Sequence, residues 1–294
     1  MTAFPDDLVS PPPRLRVGVV GSGRVGAVLG AALRRTGHEV TAVSARSDLS
    51  RVRAEALLPG VRIVTPSEVP AHADLVILAV PDDQLPEVVS ELVGHVTSGQ
   101  LVMHVSGRHG LGVLAALTDV LPIAAHPIMT FTGTSLDLGR LEDCPFGVTA
   151  PDAAYPIAAA LVVEMGGDPI RVDESARTTY HAALAHGANH LVTLVAQTLD
   201  LLAQSGVEDP ARMARPLLTA ALDNALREGD DALTGPVSRG DTATVAAHLA
   251  QLTDPKIRAA YRTMAQATLE RAVASGRLTS TAAEPIARLL DESS

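Results

Sequence analysis

Several things are scarce in this chain of 294 residues. Cysteine occurs once, at Cys144, so no intrachain disulfide can form and a reducing compartment is expected. Lysine also occurs once, at Lys256, so a mechanism that needs a lysine acid or a Schiff base has a single candidate, in the turn Asp254-Pro255-Lys256. Basic residues are too few to balance the acids. The formal net charge of −10 argues against nucleic acid or an anionic membrane as a partner. No apolar run approaches the length of a membrane span. The first thirteen residues carry acids and prolines and no apolar core of a signal peptide, and are expected to form a mobile leader. Neither an internal repeat nor a low-complexity segment interrupts the rest. These absences lead to the expectation of a cytoplasmic protein that handles a small molecule.

What is present begins with the stretch from Leu15 to Ser47. The run Leu15–Val20 has the length and β-branched content of a buried parallel strand. Gly21, Gly23 and Gly26 follow in the spacing G-x-G-x-x-G. A helical pattern then runs through Arg35, Gly37 sits where a C-terminal cap belongs, and Glu39–Ser44 reads as a second strand. This is a βαβ unit whose first glycine allows a tight turn, whose second lets backbone approach a pyrophosphate, and whose third lets helix and strand pack closely. The expected cofactor contacts are Gly21, Ser22, Gly23, Arg24, Val25 and Gly26, with Val80 and Pro81 from a later strand end. The close of the second strand selects the nucleotide. Enzymes that use NAD usually place a carboxylate there, whereas this chain has Ser44, Ala45, Arg46 and Ser47. A guanidinium flanked by Ser44 and Ser47 suits the extra phosphate of NADP(H), so NADPH is expected over NADH. The alternative for Arg46 is a solvated loop cation.

Further strands are predicted at Val61–Val64, Ala73–Pro81, Leu101–Val105 and Leu121–Ala125, with two more near 147–149 and 169–172. Helices are predicted over Gln84–Val93, Leu111–Leu117 and about 152–165. From Glu174 the pattern is helical alone. Asp173, Asp209, Asp241 and Asp254 stand as N-caps, two of them followed by proline. The chain therefore reads as α/β. A Rossmann doubly wound, mostly parallel sheet over 14–173 precedes an all-helical domain over 174–294 for substrate binding and dimerisation.

Three strand ends, Val80-Pro81, Ser106-Gly107 and His126-Pro127, are expected at one crevice at the carboxyl edge of the sheet. His126 can act as an acid or base near neutral pH, and Ser106 can assist it. The competing readings are a structural histidine and a turn-forming serine. On the first long helix of the second half, His186, Asn189 and His190 share a face and are candidate substrate ligands. His186 and His190 have the spacing of a zinc pair, but the glutamate of a metalloprotease helix and a third ligand are missing, so no metal is expected. Gly187 between them implies a close approach. In the loop Leu233–Asp241, Thr234 and Arg239 are candidates for holding a substrate carboxylate. The alternatives are a polar seam for the histidines and a solvated loop for Arg239.

The segments GVVGSGRVG, ILAVPDD, HVSG, AHPIMTF, YHAALAHGANHLVTL and LTGPVSRGD give the chain a resemblance to the 6-phosphogluconate-dehydrogenase-like group, which includes ketopantoate reductase, pyrroline-5-carboxylate reductase and prephenate dehydrogenase. Within it, the chain resembles the family that joins a Rossmann-like domain to a C-terminal helical domain of unknown function. Prephenate dehydrogenases carry a Ser and a catalytic His-Pro at the spacing of Ser106 and His126-Pro127. Ketopantoate reductases use a lysine in the first long helix of the second domain, where this chain has His186 or Asn189. Short-chain dehydrogenases are excluded, because no Tyr-x-x-x-Lys is present. The resemblance implies an NADPH-dependent reductase of a small carboxylated carbonyl or imine, with 2-dehydropantoate (ketopantoate) the specific expectation, working as a homodimer through the helical domain. A protein that binds NADPH as a sensor or assembly factor, without catalysis, is the alternative.

Overall fold

The structure is a computed structural model that describes residues 14–291; the expected leader lies outside the described residues. Its first half alternates strands and helices: β1 (Arg16–Val20), α1 (Gly26–Arg35), β2 (Glu39–Ser44), α2 (Asp48–Leu57), β3 (Arg62–Val64), β4 (Leu75–Leu78), α3 (Leu85–Leu92), β5 (Leu101–His104), β6 (Leu121–Pro127), α4 (Leu136–Arg140), β7 (Pro145–Thr149), α5 (Tyr155–Glu164) and β8 (Asp168–Arg171). Five helices follow: α6 (Arg177–Gln204), α7 (Pro210–Glu228), α8 (Thr242–Gln251), α9 (Pro255–Ala274) and α10 (Ser280–Asp291).

The strands form one eight-stranded sheet in the order β3-β2-β1-β4-β5-β6-β7-β8. Every neighbouring pair is parallel except β6 and β7. The central strands are apolar at nearly every position because both faces are covered: all four residues of β4 and of β5 are buried. One core cluster, built on Val19, Leu29, Leu33, Ile77, Met103 and Phe146, and a second on Val76, Leu78, Leu85, Leu92 and Val102 reflect that two-sided cover. Each such leucine contributes about 1.5–3 kcal/mol through burial. In α1 every residue from Gly26 to Leu33 is buried, and Arg34 and Arg35 close the helix where cations are favoured. Gly37 then takes φ +100°, the left-handed conformation of a C-terminal stop. Strand order reverses between β1 and β4, so a crevice opens at their carboxyl ends, beside the glycine turn.

The described residues divide into two compact units, the first ending at Ala185 and the second starting at His186. The division falls inside α6, later than the change of pattern at Asp173. The physical reason is that Arg177 and Tyr180, in the first turn of α6, bond to the sheet of the first unit. In the second unit, Val245, Leu249, Leu269, Ile286 and Leu290 form the core. Three of its helices, α7, α8 and α9, start where aspartates cap them. Asp209 accepts from Arg212 N–H, Asp241 from Thr244 N–H and Asp254 from Ile257 N–H, at 3.0, 3.0 and 3.2 Å. Each cap contributes about 0.5–2 kcal/mol.

Four local expectations differ from the structure. Two helices, α2 and α4, were not anticipated. The first buries only Ser50 and Ala54, so its sequence carries little apolar periodicity, and the second is a single short turn of five residues. Leu111–Leu117 forms only a 3-10 turn, Leu111–Leu114, beside Gly110 and Gly112. Asp173 precedes another such turn, Glu174–Ala176, and its side chain caps nothing.

Candidate active site

The glycine turn joins β1 to α1, and its three glycines meet three different surroundings. Gly21 takes φ +95°, and a Cβ there would lie 2.6 Å from the carbonyl oxygen of Ala79. A Cβ on Gly26 would run into the Gly21 carbonyl and the side chains of Val19 and Ala79. At Gly23, by contrast, a Cβ would meet nothing within 4 Å. The turn is thus packed on one side and bare on the other. Among the described residues the backbone N–H groups of Gly23, Arg24 and Val25 make no hydrogen bond, and no side chain caps α1 at Val25. An anion against this face finds free donors and the positive end of a helix.

The predicted contacts divide between lining and support. Ser22 is fully buried, and its hydroxyl donates to the carbonyls of Ser44 and Ser50, so it ties the turn to β2 and α2. The Ser44 hydroxyl accepts from Gly21 N–H at 3.0 Å. Ser47 caps α2 in a reciprocal box with Ser50. Beside these residues lies a cavity of about 180 Å³ lined by Gly21, Ser22, Gly23, Ser44, Arg46, Ser47, Val80 and Pro81, among others. Arg46 reaches Glu91 at 3.2 Å on the surface. Such an exposed pair is worth about 0–1 kcal/mol, so a phosphate can displace the carboxylate. Arg24 stands against Gly133 in the loop after β6, where φ is +78° and a Cβ would lie 3.0 Å from the arginine Cα.

A second group gathers in the first unit at the carboxyl ends of β5 and β6. His126, on the last turn of β6, is half-buried, and its Nδ1 lies 2.8 Å from the Tyr180 hydroxyl. The His181 ring stands edge-on to His126, with centroids 6.3 Å apart. Gly107 lies under both rings: a Cβ there would be 2.8 Å from His126 Cε1, 2.9 Å from His126 Nε2 and 2.8 Å from His181 Cδ2. Burial, the positive charge of Arg177 and the neighbouring His181 push the His126 pKa down to about 4, against a weaker opposing pull from Asp82. The imidazole is therefore neutral at pH 7.

Ser106 is buried, and its hydroxyl accepts from His109 N–H at 3.0 Å, which folds the loop after β5 into a tight turn. His104 braces that loop from within. Its Nδ1 accepts from Ser106 N–H and its Nε2 donates to the Gly110 carbonyl, and burial lowers its pKa to about 4. Glu174 accepts from Leu111 and Gly112 N–H at 2.8 and 3.2 Å. Arg177 is 1% exposed, and its guanidinium donates to the Ser106 carbonyl at 2.7 Å and to Thr149 Oγ1 at 2.9 Å. Its Nε has no partner among the described residues, and no carboxylate pairs with it there.

Ser106, on the loop after β5, and His126, near the end of β6, stand at the ends of neighbouring strands. Arg177, Tyr180 and His181 were given no role from sequence. A signal for them was present: Arg177, Tyr180 and His181 have the same i, i+3, i+4 spacing as His186, Asn189 and His190. The two triplets are nine residues apart, so at about 100° per residue they fall on opposite faces of α6. His186, Asn189 and His190 are exposed in the second unit, where the two histidine Nδ1 atoms lie 3.0 Å apart. A Cβ on Gly187 would meet nothing within 4 Å beyond its own helix, so no close approach within this chain accounts for the glycine. Thr234 borders a cavity of about 350 Å³ in the second unit, together with Gln197, His248 and Tyr261. Arg239 is exposed. No group of three or more potential metal ligands occurs among the described residues.

A mostly parallel sheet with this strand order and a bare glycine turn at its switch point define a Rossmann-like domain. Residues 1–127 match the Rossmann-like domain family, and residues 144–268 match the family described as Domain of unknown function (DUF2520). The two matches follow one another along the chain. It is 28% identical over 169 residues to a glycerol-3-phosphate dehydrogenase [NAD(P)+] of Afipia carboxidovorans, a match covering 53% of this chain and 51% of that one. The chain spans about half the length of the curated relatives it matches. Among solved structures, the Bacteroides fragilis protein BF3122, provisionally named an NADP oxidoreductase, superposes with a TM-score of 0.73 at 22% identity, covering 87% of this chain and 98% of that one. Pyrroline carboxylate reductase of Plasmodium falciparum, solved with NADP bound, superposes with a TM-score of 0.56 at 13% identity, covering 89% and 98%. The fold is that of NAD(P)-dependent oxidoreductases.

Proposed function

We propose that the chain is an NADPH-dependent oxidoreductase that reduces a small carboxylated carbonyl or imine, with 2-dehydropantoate the first candidate. The observation that carries this reading is the half-packed glycine turn, with Gly21 and Gly26 pressed against backbone and Gly23 open to a ligand. The names of the glycerol-3-phosphate dehydrogenase and pyrroline carboxylate reductase relatives support the nucleotide. Gly21 to Gly26, Val80 and Pro81 would hold the diphosphate and the ring end, and Ser44, Arg46 and Ser47 the ribose phosphate. When bound, the nucleotide supplies hydride. His126 holds the proton that the substrate takes up, and Ser106 shapes the loop against it. The unpaired Arg177 charge behind the crevice favours an anionic substrate. In the second unit, His186, Asn189, His190, Thr234 and Arg239 are the proposed substrate-holding set.

We also infer a homodimer. The 28 residues of α6 bury only Arg177, and the 19 of α7 bury only Ala214, although Val192, Met213, Leu217, Leu222 and Leu226 are apolar and exposed. Apolar helices this bare gain stability from a partner, and the open Gly187 permits one to come close. A second copy is the simplest occupant, and light scattering of the purified protein tests it. A cytoplasmic location suits the single, buried Cys144.

The deciding experiment follows NADPH absorbance with 2-dehydropantoate, other 2-oxo acids and cyclic imines. Turnover of any of these supports the reading. Binding of NADPH without turnover on all of them favours the sensor role instead.

A further inference from the structure

The pairing of His126 with Tyr180 carries an inference that rests on the oxidoreductase reading and deepens it. The two residues are 54 positions apart in sequence and are brought to 2.8 Å, Nδ1 to hydroxyl. This is the one hydrogen bond of the Tyr180 hydroxyl among the described residues. A half-buried phenol needs an acceptor for its hydrogen, and leaving that donor unsatisfied is costly. If Nδ1 carried a proton, the tyrosine hydrogen would have no acceptor within reach. Tyr180 must then donate, and the neutral ring must carry its own proton on Nε2. The Nε2–Cε1 edge of the ring lies over Gly107, where any side chain would fill the space. Against the ring stand Tyr180 and His181 from α6, and the charges that act on it are those of Arg177 from α6 and Asp82 from the loop after β4.

We infer that Tyr180 is the positioning residue for His126: it fixes the tautomer with the proton on Nε2, and it resupplies a proton through Nδ1 as the Nε2 proton is given to a substrate oxygen or nitrogen. The step balances. The substrate C=O or C=N carbon is reduced by hydride from the dihydronicotinamide, and its π pair moves to the heteroatom. That atom forms a bond to the Nε2 proton, the N–H pair stays on the ring, and the Tyr180 proton moves to Nδ1. The imidazole stays neutral throughout. The tyrosine is left transiently as phenolate, which burial opposes and the Arg177 guanidinium, 5.8 Å from its ring centroid, favours; water then protonates Nε2 as the Nδ1 proton returns to the tyrosine, which restores the starting tautomer. A neutral ring of this kind is what a histidine with its pKa lowered to about 4 provides; an imidazolium donor is not available to it at pH 7.

The test uses the full chain without nucleotide, labelled with ¹⁵N-histidine, and long-range ¹H–¹⁵N correlation of the ring nitrogens, with His126→Gln to assign the signals. The wild-type protein at pH 7 should show His126 neutral with the proton on Nε2. Tyr180→Phe should shift it to a mixture of tautomers. A proton on Nδ1 in the wild type, or an unchanged spectrum in Tyr180→Phe, overturns the inference; the wild-type spectrum decides even if the variant does not fold. In turnover, Tyr180→Phe should lower kcat roughly 10–100-fold, a fraction of a general acid's usual 10²–10⁴, with the NADPH dissociation constant unchanged. A kcat within about twofold of wild type overturns the relay. If no substrate is reduced by the wild-type protein, the oxidoreductase reading fails on its own, and the ring-nitrogen spectrum still decides the tautomer.

Discussion

The guanidinium of Arg177 donates 2.7 Å to the carbonyl oxygen of Ser106, across 71 positions of sequence and with 1% of the arginine exposed. This contact holds the loop after β5 against the start of α6. Replacing Arg177 by Met would leave the Ser106 carbonyl and the Thr149 hydroxyl with one partner fewer, at a cost of about 1–3 kcal/mol each. Removing the cation would also relieve one of the influences that lower the His126 pKa. Arg177→Met should therefore unfold at lower urea and show His126 titrating at higher pH. Chemical denaturation and ¹⁵N-histidine spectra measure the two effects, and an unaltered His126 titration would remove Arg177 from the electrostatic account.

Gly107 leaves no room for a larger residue beside the two imidazole rings. A Cβ at this position enters the space of the His126 and His181 rings at 2.8 Å, so Gly107→Ala must move one ring or the other. Displacement of about 1 Å in a reacting group can cost on the order of 10²-fold. The expected outcome is a kcat lowered by about that factor with NADPH affinity intact. Equal loss in both would point to a damaged fold instead.

Arg46 separates NADPH from NADH in this account. In the free protein it pairs with Glu91 at 3.2 Å, a surface contact that a phosphate replaces with stronger, charge-assisted bonds. Losing those bonds costs about 1.5–3 kcal/mol, so Arg46→Ala should raise the dissociation constant for NADPH by roughly 10–100-fold and leave NADH nearly unchanged. Glu91→Ala, which frees the arginine, should tighten NADPH slightly. Calorimetry with both nucleotides reads both variants, and equal losses for NADPH and NADH would show that Arg46 does not touch the phosphate.

Acid should destabilise this protein earlier than its carboxylates alone would. Burial lowers both His104 and His126 from about 6.5 to about 4, so the unfolded chain binds more protons than the folded one between those values. Their contribution is fully present above pH 6.5 and is lost as pH falls toward 4. Asp137 is different: burial opposes its ionisation, but hydrogen bonds from Gly133 and Thr132 outweigh that and leave its pKa below the usual range, so its loss comes at lower pH. The urea midpoint should fall steadily from pH 7 to pH 4.5. A flat midpoint over that interval would mean that these rings are not held neutral.

The parts of the fold that could be read from sequence are those set by local rules. The range of β2 was read as observed, and β1 within one residue, because an apolar run bounded by Gly21 and Gly37 has few other conformations open to it. The helices α7, α8 and α9 were legible because aspartate and proline mark their starts. The site was only half legible. His126 and Ser106 stand at strand ends, which periodicity locates. Tyr180 and Arg177 reach them from 54 and 71 positions away, and nothing local in the sequence records such a contact. On α6 the i, i+3, i+4 spacing fits two triplets on opposite faces, and only packing shows which one meets β6.

The account as a whole depends on a reduced nucleotide lying against the open side of Gly23. Calorimetric titration of the purified chain with NADPH is its most direct test. One NADPH per chain should bind, and Gly23→Glu, whose side chain extends into the space left open, should abolish binding while the far-ultraviolet circular dichroism is retained. No heat with NADPH or NADH from a folded sample, or undiminished binding by Gly23→Glu, would contradict it.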